Sequence, residues 1–173
     1  MNDTPIPDSY WLVDGQLLAG GYPGAFDDTR AREKIEAILS AGIRSFIDLT
    51  DTVDPLKPYE PILNELAASM GIDVSYRRMP IMDMSIPTPE LMADILNTIE
   101  TEIGEGRPVY FHCWGGIGRT GTVAGCWLVE QGHTCEDALK RIRELRATTP
   151  DRSMESPQTE DQRAFVRGWR SRR

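Results

Sequence analysis

The residues best placed to do chemistry run consecutively: His112-Cys113-Trp114-Gly115-Gly116-Ile117-Gly118-Arg119-Thr120. An apolar run, Val109–Phe111, precedes them, and helically spaced Val123, Ala124, Trp127 and Leu128 follow. The segment therefore reads as strand, tight loop, helix. Three glycines let successive backbone N–H groups turn inward and form a nest for an anion. The helix N-terminus adds its partial positive charge. Arg119 contributes a planar fork suited to two phosphate oxygens. Cys113 falls at the base of this cradle. A free thiol titrates at about 8.5, and helix N-termini or nearby cations lower it to roughly 3.5–7.5, so a thiolate nucleophile is expected at neutral pH. Thr120 can donate its hydroxyl to the sulfur. A buried cysteine or a lone arginine would each be unremarkable; the combination is not.

If the bound phosphate is an ester, its leaving oxygen needs a proton, because alkoxide and phenoxide leave poorly. Asp83 is the first candidate, thirty positions before Cys113 on the loop Pro80-Ile81-Met82-Asp83-Met84-Ser85-Ile86-Pro87. A loop acid can close over bound substrate. Asp73, which adjoins a strand, and Asp51 and Asp54, on an earlier loop, are weaker rivals. His112 is expected to order the loop by hydrogen bonding or to tune the thiol. Trp114 packs beside the loop or stacks on substrate. One of Arg77 and Arg78 can reach the rim of the site. Cys126 reads as core.

These residues need elements to hold them. Trp11–Val13 and Leu17–Ala19 flank Asp14-Gly15, a hairpin signal. A helix over residues 30–41 presents Ile35, Ile38 and Leu39 and stops at Gly42. Ser45–Leu49 is a buried strand. A second helix carries Leu63, Leu66 and Ala67 and ends at Gly71. Val74–Met79 is the next strand, and a third helix bears Leu91, Met92, Ile95, Leu96 and Ile99. After the cysteine loop and its helix, Thr134 caps a further helix, and Ser156-Pro157 is expected to start the last one. Strands and helices alternate through the first two-thirds, and the last third is helical. The fold class is α/β: a single domain with a central sheet flanked by helices and the glycine-rich loop at a strand's carboxyl end, where ligands bind. Residues 1–9 read as a flexible arm and 10–173 as the catalytic domain.

Composition narrows the partners. The 173-residue chain, 40% hydrophobic and 27% charged, is long enough for one cored domain. A net charge of −8 argues against nucleic acid and anionic membranes. Three cysteines form no disulfide framework, and the start Met1-Asn2-Asp3-Thr4-Pro5 has no signal-peptide pattern, so a cytoplasmic location is expected. Gly116-Ile117-Gly118-Arg119-Thr120-Gly121 also fits a dinucleotide fingerprint, but no strand with an acidic residue follows it. Cys113, Cys126, His133 and Cys135 lack the paired spacing of a zinc site, so neither metal nor cofactor is expected.

The His-Cys-(five residues)-Arg-Thr segment resembles the signature of the protein tyrosine phosphatase superfamily, and chain length and element order are similar to its compact dual-specificity branch. The resemblance covers residues from about 10 to 169. It implies a mixed sheet with helices on both sides and phosphomonoester hydrolysis through a phosphocysteine intermediate, with a phosphorylated protein or small phosphomonoester as substrate. It also implies a general acid on a loop upstream, where Asp83 lies, which as a carboxylate could then serve as base. Gln158 and Gln162, spaced i, i+4, are similar to the family's glutamine loop and would orient the hydrolytic water. No lysine or second arginine lies inside the loop to meet extra phosphates. That favours a tyrosine or dual-specificity protein phosphatase over an inositol-phosphate or phosphoinositide phosphatase, and a monomer is expected. A module that binds phosphoproteins without hydrolysing them is the alternative from another class.

Overall fold

A computed structural model describes residues 3–172. Strand β1 (Ser9–Val13) turns at Gly15, whose φ of 72° suits glycine, and pairs antiparallel with β2 (Leu17–Gly20). There follow α1 (Asp28–Ser40), β3 (Ser45–Asp48), α2 (Glu60–Met70), β4 (Ser75–Arg78), α3 (Pro89–Gly104), β5 (Val109–His112), α4 (Gly118–Glu130), α5 (Cys135–Leu145) and α6 (Glu160–Gly168). A single 3-10 turn, Arg146–Thr148, lies between the last two helices.

The sheet order is β1-β2-β5-β3-β4. Strands β2, β5, β3 and β4 are parallel, and only the β1 edge is antiparallel. The sheet is thus mixed and central in a single-domain α/β fold. Gly20 and Asp48 both stand level with His112. The carboxyl ends of β2, β3 and β5 therefore open at one edge, and the loops leaving them meet there.

Pleating sorts the core. Leu17, Ala19, Ile47, Val109 and Phe111 face one side, with Ile95, Leu96, Val123 and Val166 from the helices after β4. Leu18, Phe46 and Tyr110 face the other, with Ile35 and Ile38 of α1 and Leu63 of α2. The alternation is the period of two that a sheet covered on both faces requires. Every residue of α4 is buried, so the helix that follows the cysteine loop is fixed on all sides. Thr88 and Thr134 each accept a backbone N–H at the starts of α3 and α5, and Gly71 ends α2 at a φ of 66°.

Two expectations change. The last helix does not start at Ser156-Pro157: Thr159 is its N-cap, in a capping box with Gln162. Pro157 precedes that cap in the loop. The expected arm over residues 1–9 is also not loose where it is described. Ile6 is buried in the second core cluster, the Ser9 hydroxyl donates to its carbonyl, and β1 already begins at Ser9. One buried isoleucine among polar neighbours is enough to dock the segment, and polarity alone hid it. Positions 1 and 2 of that arm lie outside the described residues, as does position 173 of the expected domain.

Candidate active site

Strand β5 ends at His112, and Cys113 is 3% exposed at the start of the loop. Gly116 takes a φ of 71°, and a Cβ there would come within 2.6 Å of the Gly20 backbone. Only glycine lets the loop curl against the end of β2. No side chain caps α4 at Ile117, so its first N–H groups are left for another acceptor. Tyr22 N–H donates to the Trp114 carbonyl, at 2.8 Å. The Thr120 hydroxyl donates to the Gly20 carbonyl at 3.1 Å. Thr120 therefore braces the loop on β2 and is not turned to the Cys113 sulfur as expected, because the buried carbonyl claims its proton.

Arg119, in the first turn of α4, is 1% exposed. Its Nη1 donates to Asp54 Oδ2 at 2.7 Å and to the Ile81 carbonyl at 3.0 Å. Its Nη2 stands 3.1 Å from Asp83 Oδ1, a charge contact out of line for a hydrogen bond. Nε and Nη2 are buried donors without hydrogen-bond partners. A buried donor with no partner, as Nε is, costs about 1–3 kcal/mol until something accepts from it, and Nη2 has only its charge contact with Asp83. An oxyanion held over Cys113 would satisfy both.

The two aspartates differ in surroundings. The Asp54 side chain is 4% exposed, and its Oδ2 also accepts from Asp51 N–H at 2.8 Å. It is a fixed brace for the guanidinium. The Asp83 side chain is 49% exposed at the mouth. It can meet a leaving group arriving with substrate, which Asp54 cannot. The loop that carries Asp83 is pinned where it leaves β4, by Ile81 N–H donating to the Leu49 carbonyl at 3.0 Å. At its far end Gln162 Nε2 donates to the Ser85 carbonyl at 3.0 Å.

That bond redefines the glutamine pair. Gln162 is fully buried, and its Oε1 also accepts from Gln158 N–H and Thr159 N–H, both at 3.1 Å. Its Oε1 caps α6 and one Nε2 N–H tethers the acid loop, which leaves the second N–H of that amide without an assigned partner. Gln158 lies ahead of the cap, so the two do not share a helical face. Its Cβ is 3.4 Å from where a Cβ on Gly118 would stand, which sets Gln158 beside the cradle.

His112 is fully buried behind the loop. Its Nδ1 lies 3.1 Å from the Cys113 carbonyl and its Nε2 2.7 Å from the Tyr59 hydroxyl. One neutral tautomer satisfies both: Nδ1–H donates to the carbonyl and Nε2 accepts from Tyr59. Burial holds the imidazole below its ordinary pKa, against the raising effect of Asp48, whose Oδ1 is 4.0 Å from Nδ1. Burial alone would raise the Asp48 carboxyl. Electrostatic attraction to the imidazole whenever it is protonated, with hydrogen bonds from Thr50 and Tyr76, outweighs it and holds that carboxyl below the usual range. Asp48, Tyr59 and His112 form a buried polar support that fixes the backbone at Cys113.

Other expected residues fall elsewhere. Arg78 turns to Asp48, at 3.4 Å, and Arg77 lines a groove with Asp94 and Thr98 away from the cradle. Cys126 is buried in the core, which pushes its thiol pKa well up. Among the described residues no group of three or more His, Cys, Asp or Glu side chains is placed to hold a metal ion. No described helix is long and apolar enough to cross a membrane. Asp54 and Asp48 are the functional residues that spacing did not single out. The only sign of Asp54 was its place as a rival acid.

A family model described as a polymorphic toxin system DSP-PTPase phosphatase matches residues 22–133. Cyclin-dependent kinase inhibitor 3 of Homo sapiens is 29% identical over 131 residues, 73% of this chain and 61% of that protein. The crystal structure of Tk-PTP in its active form superposes with a TM-score of 0.69 at 23% identity, covering 92% of this chain and 94% of that one. The structure of P. aeruginosa TpbA in complex with pTyr gives 0.69 at 17% identity, covering 98% and 88%. At such identities the structural likeness speaks for the fold. The chain spans about half to three-fifths of the length of the curated relatives it matches.

Proposed function

The chain belongs to the DSP-PTPase phosphatase family, and from that premise we propose that it hydrolyses phosphomonoesters on proteins, as a tyrosine or dual-specificity phosphatase, through Cys113. The observation that carries this reading is the buried Arg119 with two unspent donors beside Cys113 and Asp83.

The substrate phosphate enters the nest. Two of its oxygens accept from Arg119 Nε and Nη2, and others from the loop N–H groups. The Cys113 sulfur attacks phosphorus in line. The S–P bond forms as the ester P–O bond breaks, and Asp83 delivers its proton to the departing oxygen. In the second step water attacks phosphorus, Asp83 takes its proton, and the P–S bond breaks to free inorganic phosphate. Gln158 is the residue proposed to orient that water. Asp54 keeps the guanidinium plane fixed through both steps. A thiol nucleophile suits a reducing compartment, so the cytoplasm is the proposed location.

Hydrolysis of a small aryl phosphate in EDTA tests the reading. Wild type turns over without added metal, while Cys113→Ser and Arg119→Ala lose nearly all activity. Full activity in Cys113→Ser, or phosphate binding without turnover in wild type, would overturn it.

A further inference from the structure

Next to the cradle, a second cavity of about 260 Å³ opens between Phe26 and Trp114. Trp114 belongs to the cysteine loop itself, so the two spaces share a wall. Lys34, from α1, and Lys57, from the loop between β3 and α2, line the cavity. The chain has only three lysines, Lys34, Lys57 and Lys140, against a net charge of −8. Two of the three therefore converge on one cavity beside the catalytic loop.

We propose that this cavity is a subsite for an anionic side chain of the substrate protein, near the residue whose phosphate enters the cradle, with Lys34 and Lys57 as its cations. The inference rests on the phosphatase reading and adds a substrate class to it. Lys34 is the better anchored of the two. Its side chain is 22% exposed, and it donates to the Tyr22 carbonyl. Asp8, the carboxylate facing it inside the cavity, forms an ion pair with it at 3.8 Å, longer than a hydrogen bond, so a further anion can still approach more closely. An ammonium has three donors, so Lys34 has donors to spare. Burial lowers its pKa, and Asp8 only partly offsets this. An incoming anion would supply the close counter-charge. Lys57 pairs with Asp28 at an exposed position and can exchange that partner at little cost.

The surroundings favour a polypeptide as the carrier of that anion. Phe26, Val53, Met82, Met84, Ile86 and Trp114 are all large, apolar and exposed. They sit on the four loops that leave the carboxyl ends of β2, β3, β4 and β5, and Phe26 and Trp114 line the cavity itself. Such a rim suits an extended segment with apolar residues flanking its charges. A bilayer would also accept apolar loops, but the acidic chain is repelled by an anionic membrane surface.

The test uses phosphotyrosine peptides in which Glu, Gln or a second phosphotyrosine occupies each flanking position in turn. Wild type, Lys34→Met and Lys57→Met are compared by kcat/KM, with melting curves confirming that each variant folds. At one flanking position wild type should prefer Glu over Gln about fivefold, the scale of one partly exposed charge pair. Both variants should bring that ratio to about one. A larger gain for the second phosphotyrosine than for Glu identifies phosphate, rather than carboxylate, as the preferred anion. No ratio above about twofold at any position, or ratios unchanged in both variants, overturns the subsite. So does a loss in the variants of turnover on phosphoinositide vesicles with peptide ratios intact, which would assign the lysines to a lipid headgroup. Wild-type turnover of a small aryl phosphate separates the two levels. If it fails, the phosphatase reading fails; if it succeeds without peptide discrimination, only the subsite fails.

Discussion

Replacing Asp54 with asparagine tests the brace behind Arg119. The substitution keeps the shape and one acceptor oxygen but removes a charge 2.7 Å from Nη1, where both side chains are nearly buried. At an effective dielectric of about 20, unit charges about 4 Å apart attract by about 4 kcal/mol. Deleting one member of a buried pair costs about 3–5 kcal/mol, because the other charge is stranded. Here Arg119 keeps the Ile81 carbonyl and the nearby Asp83 carboxylate, and asparagine still accepts. The expected loss is therefore about 2 kcal/mol. In a chain of this size that lowers Tm by roughly 4–8 °C. A guanidinium without its brace also misplaces the phosphate, so kcat/KM on an aryl phosphate should fall roughly 10- to 100-fold. A bound phosphate supplies the missing negative charge. Saturating inorganic phosphate should therefore raise Tm more in the variant than in wild type. Thermal melts with and without phosphate, alongside steady-state kinetics, make the measurement. An Asp54→Asn protein with wild-type Tm, wild-type kcat/KM and the same phosphate response would refute the reasoning.

Three further outcomes follow from the geometry. Asp83→Asn should slow esters of poor leaving groups about 10²-fold or more and those of good leaving groups far less; equal losses on both would remove Asp83 from the acid role. Gly116→Ala should abolish activity, since its Cβ would meet the Gly20 backbone at a φ of 71°, whereas Gly115→Ala has 3.7 Å to its nearest neighbour and should stay active; similar activities in the two would contradict the described curl. His112 is held below its unfolded value of about 6.5 by burial, so below that pH the unfolded chain binds the proton first and stability falls as pH drops. Asp48, depressed in the fold, adds a loss in the same direction below about 3.8, as pH falls towards its folded pKa. Tm should thus decline from about pH 7 to pH 5.5, and His112→Gln should remove most of that slope; an unchanged slope would place the titration elsewhere.

What could be read from the chain was what neighbouring residues encode together. The cysteine loop, its glycines and α4 lie within one stretch, and local chemistry predicts their shape. The caps at Thr134 and Gly71 are likewise local. Asp54 is different. It stands 65 positions before Arg119, and only the placement of β5 between β2 and β3 brings its loop over the cradle. Thr120 reaches back 100 positions to Gly20, a partner that no spacing rule names. Gln158 and Gln162 show a local rule misapplied. Their i, i+4 spacing implies a shared face only inside a helix, and the Thr159 cap leaves Gln158 outside. Pairwise tertiary contacts, rather than element types, account for what the pattern missed.

The central claim is that Cys113 itself becomes phosphorylated. Its most direct test is to mix Asp83→Asn protein with an aryl phosphate bearing a good leaving group, quench in acid, and map the added mass by peptide mass spectrometry. One phosphoryl group should appear on the peptide containing Cys113 with the first turnover and be absent from Cys113→Ser. A phosphoryl group on another residue, or steady turnover in samples that never show a labelled Cys113, would contradict the claim.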